Sequence, residues 1–186
     1  MRYLLVCLLL LLSPIVSASS ADRLKEAAFP NQLSDRTPAL MLKGQGVLTY
    51  LWADVYAAAL FNEPSISAAQ AFSGQRAQCL ELYYFRAIDR SDMIKAADAT
   101  LARQQSEATL TRLKPELDQL HASFQDIQRG DRYLLSFQPQ RGLSLERNGQ
   151  VIFRSANPEL AHVYLGLWLA PDGLSKSLRK ALLNRT

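Results

Sequence analysis

Cysteine and histidine are both scarce, with two of each in 186 residues. His121 and His162 stand apart, with no His-x-x-x-His or Cys-x-x-Cys spacing and no acidic cluster beside them. Zinc and related ions need three or four such ligands converging on one point, so no metal site is expected. Glycine motifs are equally thin. Gly44-Gln45-Gly46 lacks the third glycine and the following helix of a dinucleotide loop, and no Walker lysine follows. No serine sits in the glycine-flanked elbow of a hydrolase. No cofactor is therefore expected. Dense positive charge is missing too. The formal net charge of +4 is scattered over pairs such as Arg23/Lys25, Arg86/Arg90 and Arg129/Arg132, whereas a nucleic-acid binder shows a continuous basic stripe. Lys176, Arg179, Lys180 and Arg185 have the spacing of the solvated face of a terminal helix, whose last turn favours cations.

The one long apolar run stands at the start. Arg2 gives a charged beginning, Tyr3 to Leu12 are almost wholly apolar, and Ser13 and Pro14 break the run. Val16-Ser17-Ala18 then places small residues where a signal peptidase reads. That order is the order of a secretory signal, and the run is shorter than the roughly 20 residues that span a bilayer. Cys7 lies inside the run rather than at its end, so a lipid anchor on it is not expected. Residues 1–18 are thus read as a signal peptide, and the mature chain as periplasmic with no membrane span. Without them one thiol remains, Cys79, and the 21 basic residues less Arg2 leave 20 against 17 acidic ones, a net charge of +3. One thiol makes no internal disulfide, but the remaining length is enough for a single core without staples.

Residues 19–38 are polar and broken by Pro30 and Pro38, and read as a loosely structured lead-in. Gly44-Gln45-Gly46 reads as a turn, after which Val47 to Phe61 alternate with strand periodicity, as one long bent strand or a hairpin. Ser67 to Phe72 suit one or two helical turns before Gly74, and Cys79 to Phe85 a strand. Asp89 or Ser91 can cap a helix through Met93, Ile94, Ala97 and Leu101. A second helix carries Leu110, Leu113, Leu117, Leu120 and Phe124, with Pro115 expected to start or kink its later part. Tyr133 to Phe137, Leu143 to Leu145 and Val151 to Phe153 read as a β-meander, with Asn148-Gly149 as its clearest hairpin turn. Asn157-Pro158 opens a helix with a capping side chain and a proline at its first position. Leu160, Ala161, Tyr164, Leu167 and Trp168 form its buried stripe. Pro171-Asp172-Gly173 ends it, and a short helix with Leu178 and Leu182 closes the chain. Strands and helices are segregated, so the class is α+β with a mainly antiparallel sheet.

What stands out chemically is aromatic and cationic. Tyr50, Trp52, Tyr56, Tyr83, Tyr84 and Phe85 fall in the two strand regions, with Arg86 just beyond, while Tyr164 and Trp168 lie on the helix expected to cover the sheet. Ordinary core explains such a set, and so does an apolar cleft with a polar group at its mouth. Cys79, inside a strand, reads as a small core hydrophobe.

The order of these motifs resembles the chalcone isomerase-like family. Gly44-Gln45-Gly46-Val47 and Asp54-Val55-Tyr56-Ala57-Ala58-Ala59-Leu60 look like the opening of that domain. Leu82-Tyr83-Tyr84-Phe85-Arg86, Phe124-Gln125-Asp126-Ile127 with Gly130-Asp131, the Asn148-Gly149 hairpin, and Leu167-Trp168-Leu169 through Leu183 follow in family order. The likeness covers residues 39–183 and is nearest to a bacterial secreted branch; the domain itself is assigned to residues 39–186. It implies an open-faced β-sandwich, a large antiparallel sheet with helices on one face and the ligand cleft between them. Plant members close a chalcone into a flavanone by phenolate attack on an enone, and another branch binds fatty acids without catalysis.

Carried over position by position, the family's catalytic residues are mostly absent. Leu48 stands where the family has its arginine. The family threonine falls near Leu51, with Thr49 as the available substitute. Arg90 takes the place of the catalytic tyrosine, Ala97 that of the asparagine, and Leu167 that of the late hydroxyl residue. A guanidinium can hold a phenolate or carboxylate, and Leu48 offers none, so chalcone cyclisation is not expected and no catalytic residue is assigned. The reading is an exported, non-catalytic binder of a small apolar or aromatic ligand such as a fatty acid. Its candidate contacts are Leu48, Thr49, Trp52, Tyr83, Arg86, Arg90, Tyr164 and Trp168. Arg86 or Arg90 would supply the missing cation, unless Arg86 is committed to a salt bridge with Asp89 or Asp92. The alternatives are a divergent isomerase or lyase, or a partner-binding envelope protein with a vestigial cleft; protein partners are not readable. Processing is directly testable. N-terminal sequencing of periplasmic material is expected to begin near Ser19, and retention of Met1 would refute the signal peptide.

Overall fold

Alternating sequences bury one sheet face only if each strand finds a neighbour in register, and here each finds it in the next strand along the chain. A computed structural model describes residues 19–36 and 38–183; the expected signal peptide and Arg185 lie outside the described residues. The strands are β1 (Gln32–Leu33), β2 (Leu40–Tyr50), β3 (Ala53–Asn62), β4 (Gln78–Tyr84), β5 (Arg132–Gln138), β6 (Gly142–Arg147) and β7 (Gln150–Ser155). They form one antiparallel seven-stranded sheet in chain order. The helices are α1 (Ser20–Ala27), α2 (Ala68–Ser73), α3 (Arg90–Gln104), α4 (Glu107–Ala122), α5 (Pro158–Leu169) and α6 (Lys176–Leu183). The result is the expected α+β open-faced sandwich. No described helix is long and apolar enough to cross a membrane.

Period two sorts the side chains. Tyr56, Ala58 and Leu60 of β3 share a face with Leu80, Leu82 and Tyr84 of β4, and with Tyr133, Leu135 and Phe137 of β5. This face meets the helix layer, where α5 lies against α2, α3, α4 and α6. The intervening residues Ala57, Ala59, Phe61 and Cys79 face the other way, against Ala27, Phe29, Leu33 and Leu40. Cys79 is the expected core residue. Burial pushes its thiol up to about 11, more than the hydrogen bond with Ser136 can offset.

Four local expectations are corrected. The described part of residues 19–38 is not loose: Ser19 accepts from the Asp22 amide and caps α1, and β1 adds an edge strand. Their few apolar residues serve the sheet's second face, which sequence polarity alone conceals. Gly44-Gln45-Gly46 is no turn but the middle of β2. There α6 crosses so closely that a Cβ on Gly44 would overlap the Ala181 and Leu182 carbonyls, and one on Gly46 would lie 2.8 Å from the Ala181 methyl. Pro115 sits within an unbroken α4. It lies on the exposed side of that helix, where the carbonyl it leaves without a partner can face water. Finally, the Asp89 side chain makes no cap hydrogen bond; Asp126 Oδ1 accepts from the Arg90 amide at 2.9 Å instead.

The alternation from Val47 to Phe61 is a hairpin whose turn is Leu51-Trp52. Both residues have positive φ, 45° and 66°. The Asn148-Gly149 turn has the same signature at 50° and 81°, which is what a type I′ turn requires. A left-handed conformation costs a residue with a branched or bulky side chain about 1–2 kcal/mol. Leu51 and Trp52 recover little of this by burial, being 66% and 91% exposed. The double variant L51N/W52G is therefore expected to raise stability by about 1–2 kcal/mol, read as a higher thermal midpoint; a lower midpoint would show that the two side chains stabilise the fold.

Candidate ligand cavity

At one end of the sandwich the helix layer and the sheet part around a cavity of about 710 Å³, within the usual size of small-molecule sites. Its floor is Val55 and Tyr56 of β3, Leu80, Leu82 and Tyr84 of β4, Tyr133 and Leu135 of β5, and Leu145 of β6. Its roof is Met93, Ala96 and Ala97 of α3 with Tyr164, Leu167 and Trp168 of α5. Leu48, Thr49 and Tyr50 at the end of β2, residues 86–89 after β4, Asp92, and Leu174 and Ser175 before α6 surround the mouth. The aromatic rings touch edge to face. Tyr56 and Tyr84 have centroids 5.3 Å apart, Tyr84 and Tyr133 6.0 Å, and Tyr164 and Trp168 6.4 Å. Trp168 Nε1 donates to Tyr56 Oη at 2.8 Å, joining roof to floor.

The phenols are neutral. Burial pushes Tyr56, Tyr84, Tyr133 and Tyr164 above the ordinary tyrosine value. The walls thus offer hydrogen-bond donors but no charge. Among the described residues Arg86 is the one cationic side chain in the lining, at the exposed mouth beside Asp89 and Asp92. Asp92 pairs with Lys95 at 3.0 Å rather than with Arg86.

A polar node fixes the loop that carries Phe124 into the cavity. Asp131 accepts from Asn148 Nδ2 at 2.8 Å, Arg147 Nη2 at 2.7 Å and the Gln128 amide at 2.8 Å. Burial draws its carboxyl upward, but these bonds outweigh it and hold the group below its ordinary value. Arg147 also donates to the Asp126 carbonyl at 2.9 Å, so the β6–β7 hairpin, this loop and the start of α3 form one unit.

Of the expected contacts, Leu48, Thr49, Arg86, Tyr164 and Trp168 line the cavity. Three do not. Trp52 projects from the hairpin turn into solvent. Tyr83 lies on the opposite sheet face, beneath the Arg132 guanidinium at 4.8 Å, because its neighbour Tyr84 takes the inner face. Arg90 turns away to donate from Nη2 to the His121 carbonyl at 2.8 Å, tying α3 to the end of α4. Strand parity groups Tyr56 with Ala58 and Leu60, and Tyr84 with Leu80 and Leu82, but both sheet faces are apolar, so parity alone does not tell which face is the inner one. The contributions of Tyr133 and Phe124 depend on pairing across a long excursion and leave no local sign. No group of three potential metal ligands gathers among the described residues. His121 is a buried residue of α4 with Nδ1 3.7 Å from Asp98, while His162 stacks on Phe72.

A family model described as chalcone isomerase-like matches residues 21–184. No curated protein matches the chain. Among solved structures, the crystal structure of an Arabidopsis thaliana fatty-acid binding protein is similar with a TM-score of 0.63 at 16% identity, over 83% of this chain and 90% of that one. Likeness at such low identity speaks for the fold alone, and the fold is the one described above. The family match takes in α1 and the sheet through to α6, and with it this chain belongs to the chalcone isomerase-like family.

Proposed function

We propose that this protein is an exported, non-catalytic binder of a small apolar carboxylate such as a fatty acid. The observation that carries the reading is the cavity itself: apolar and aromatic walls, neutral phenols, and a mouth where Arg86 is the single cation among the described residues, beside Asp89 and the Lys95-paired Asp92. An acyl chain suits the leucine and aromatic interior, and a carboxylate suits the guanidinium. The solved fatty-acid binding protein with the same fold supports the ligand class. The charged, apolar and small-residue order of residues 1–18 supports export. Against catalysis stand Leu48 and Leu167, apolar side chains in the cavity where the family carries an arginine and a hydroxyl, and Arg90, which faces away from it.

Calorimetric titration with palmitate is the test. Wild-type protein is expected to bind. A charge-assisted hydrogen bond is worth about 1.5–3 kcal/mol, so Arg86→Ala is expected to weaken affinity by about ten- to a hundredfold. Its thermal midpoint is expected to stay where it was, because the side chain is exposed. No binding by the wild type ends the fatty-acid reading, and a lower midpoint with unchanged affinity makes Arg86 structural.

Chalcone turnover separates the isomerase alternative. Loss of one group that stabilises transition-state charge costs about 10²–10³ in rate. Flavanone formation is accordingly expected at the spontaneous rate. Saturable turnover that co-purifies with the protein would establish an enzyme instead.

A further inference from the structure

The chain contains two hairpin turns with the same backbone signature and opposite chemistry. Asn148-Gly149 uses the residues that tolerate positive φ. Leu51-Trp52 uses residues that do not, and holds both side chains out in water beside Tyr50, itself 68% exposed. A local choice that works against the fold, with no compensating contact inside it, points to function. The position of this tip is informative. Tyr50 and the preceding Thr49 also line the cavity mouth, so whatever receives Leu51 and Trp52 meets the mouth as well.

We propose that the Tyr50-Leu51-Trp52 tip docks the cavity mouth onto a lipid bilayer surface. A hairpin end is convex, and a bilayer accepts a convex apolar tip without a shaped counterpart. Tyrosine and tryptophan settle at headgroup depth because each joins an apolar ring to a polar edge, and Leu51 between them reaches toward the acyl chains. Of the carboxylates near the turn and mouth, Asp89 stands beside Arg86 in the lining, and the other two are engaged. Asp54 is held by Arg23 at 3.0 Å and by Thr49 at 2.8 Å, and Asp92 by Lys95. Exposed Lys176 and Lys180 lie on α6, which packs along β2 of the same hairpin with Leu178 over Gly46. With the positive net charge, they favour an anionic headgroup layer. The purpose assigned to docking, passing an apolar ligand between membrane and cavity, rests on the function proposed above; the docking itself does not.

The test uses vesicles of dioleoylphosphatidylcholine and dioleoylphosphatidylglycerol with bromine-labelled acyl chains and no fatty acid. Wild type and L51N/W52G carry the same N-terminus. Wild-type tryptophan emission is expected to be quenched and the protein to sediment with the vesicles. In L51N/W52G the remaining Trp168 emission is expected to escape quenching. Removing the two apolar side chains is expected to weaken vesicle partition by about tenfold or more. Palmitate affinity of the variant is expected to match wild type, since neither residue lines the cavity. Unquenched wild-type emission, or equal partition of the variant, overturns the proposal. A concentration-dependent dimer that protects Trp52 without any vesicle response overturns it in favour of a second copy of the chain. If wild type fails to bind palmitate but its tryptophan is quenched, the ligand reading falls and docking stands. Palmitate binding without quenching gives the reverse.

Discussion

The hydrogen bond from Trp168 to Tyr56 spans the line where helix layer and sheet separate. Toward the middle of the sandwich, small side chains such as Ala58, Ala68 and Ala161 let the layers close on each other. Toward the mouth, Tyr56, Tyr84, Tyr164 and Trp168 are too large to interdigitate completely and instead meet edge to face. A half-buried indole N–H and a buried phenol each gain from a partner, and Trp168 and Tyr56 supply it to each other at this boundary. The cavity is thus the space left by an aromatic frame fastened at one polar point, rather than a defect in packing.

Much of the core is legible in the residues because period two holds without a break where β4 pairs with β3 and β5. Tyr56 shares its parity with Ala58 and Leu60, and Tyr84 with Leu80 and Leu82, so their common face follows once the strands are placed. Tyr83 was grouped with the cleft only because adjacent aromatics look alike until the face is chosen. Trp52 departs from the alternation for a different reason. A Leu-Trp pair carries none of the composition that usually announces a turn, so the alternation reads straight through it. Gly44 and Gly46 show the converse. Their spacing suggests a turn, yet the backbone is extended, and the missing side chains make room for α6, a helix more than a hundred residues away in the chain.

The family correspondence behaves in the same way. Leu48, Ala97 and Leu167 stand at positions matched to catalytic residues, and all three reach the cavity. Leu51, matched to the family threonine, and Arg90 do not reach it: Leu51 sits in the exposed hairpin turn, and the Arg90 guanidinium serves the end of α4. Local motifs therefore locate the cavity wall well, but they do not reveal which way a long side chain turns at a helix start.

The sheet's simple order has a kinetic side. Three of its pairings, β2 with β3, β5 with β6 and β6 with β7, close over turns of two or three residues. The pairing of β4 with β5 must instead close over residues 85–131, which include all of α3 and α4. Closure entropy grows with the logarithm of loop length, by about 0.6 kcal/mol per doubling, so this junction carries the largest cost in the meander. It is also the junction that sets Tyr133 and Leu135 beside Leu80 and Leu82. The floor of the cavity and the long-range order of the chain are established in one and the same closure.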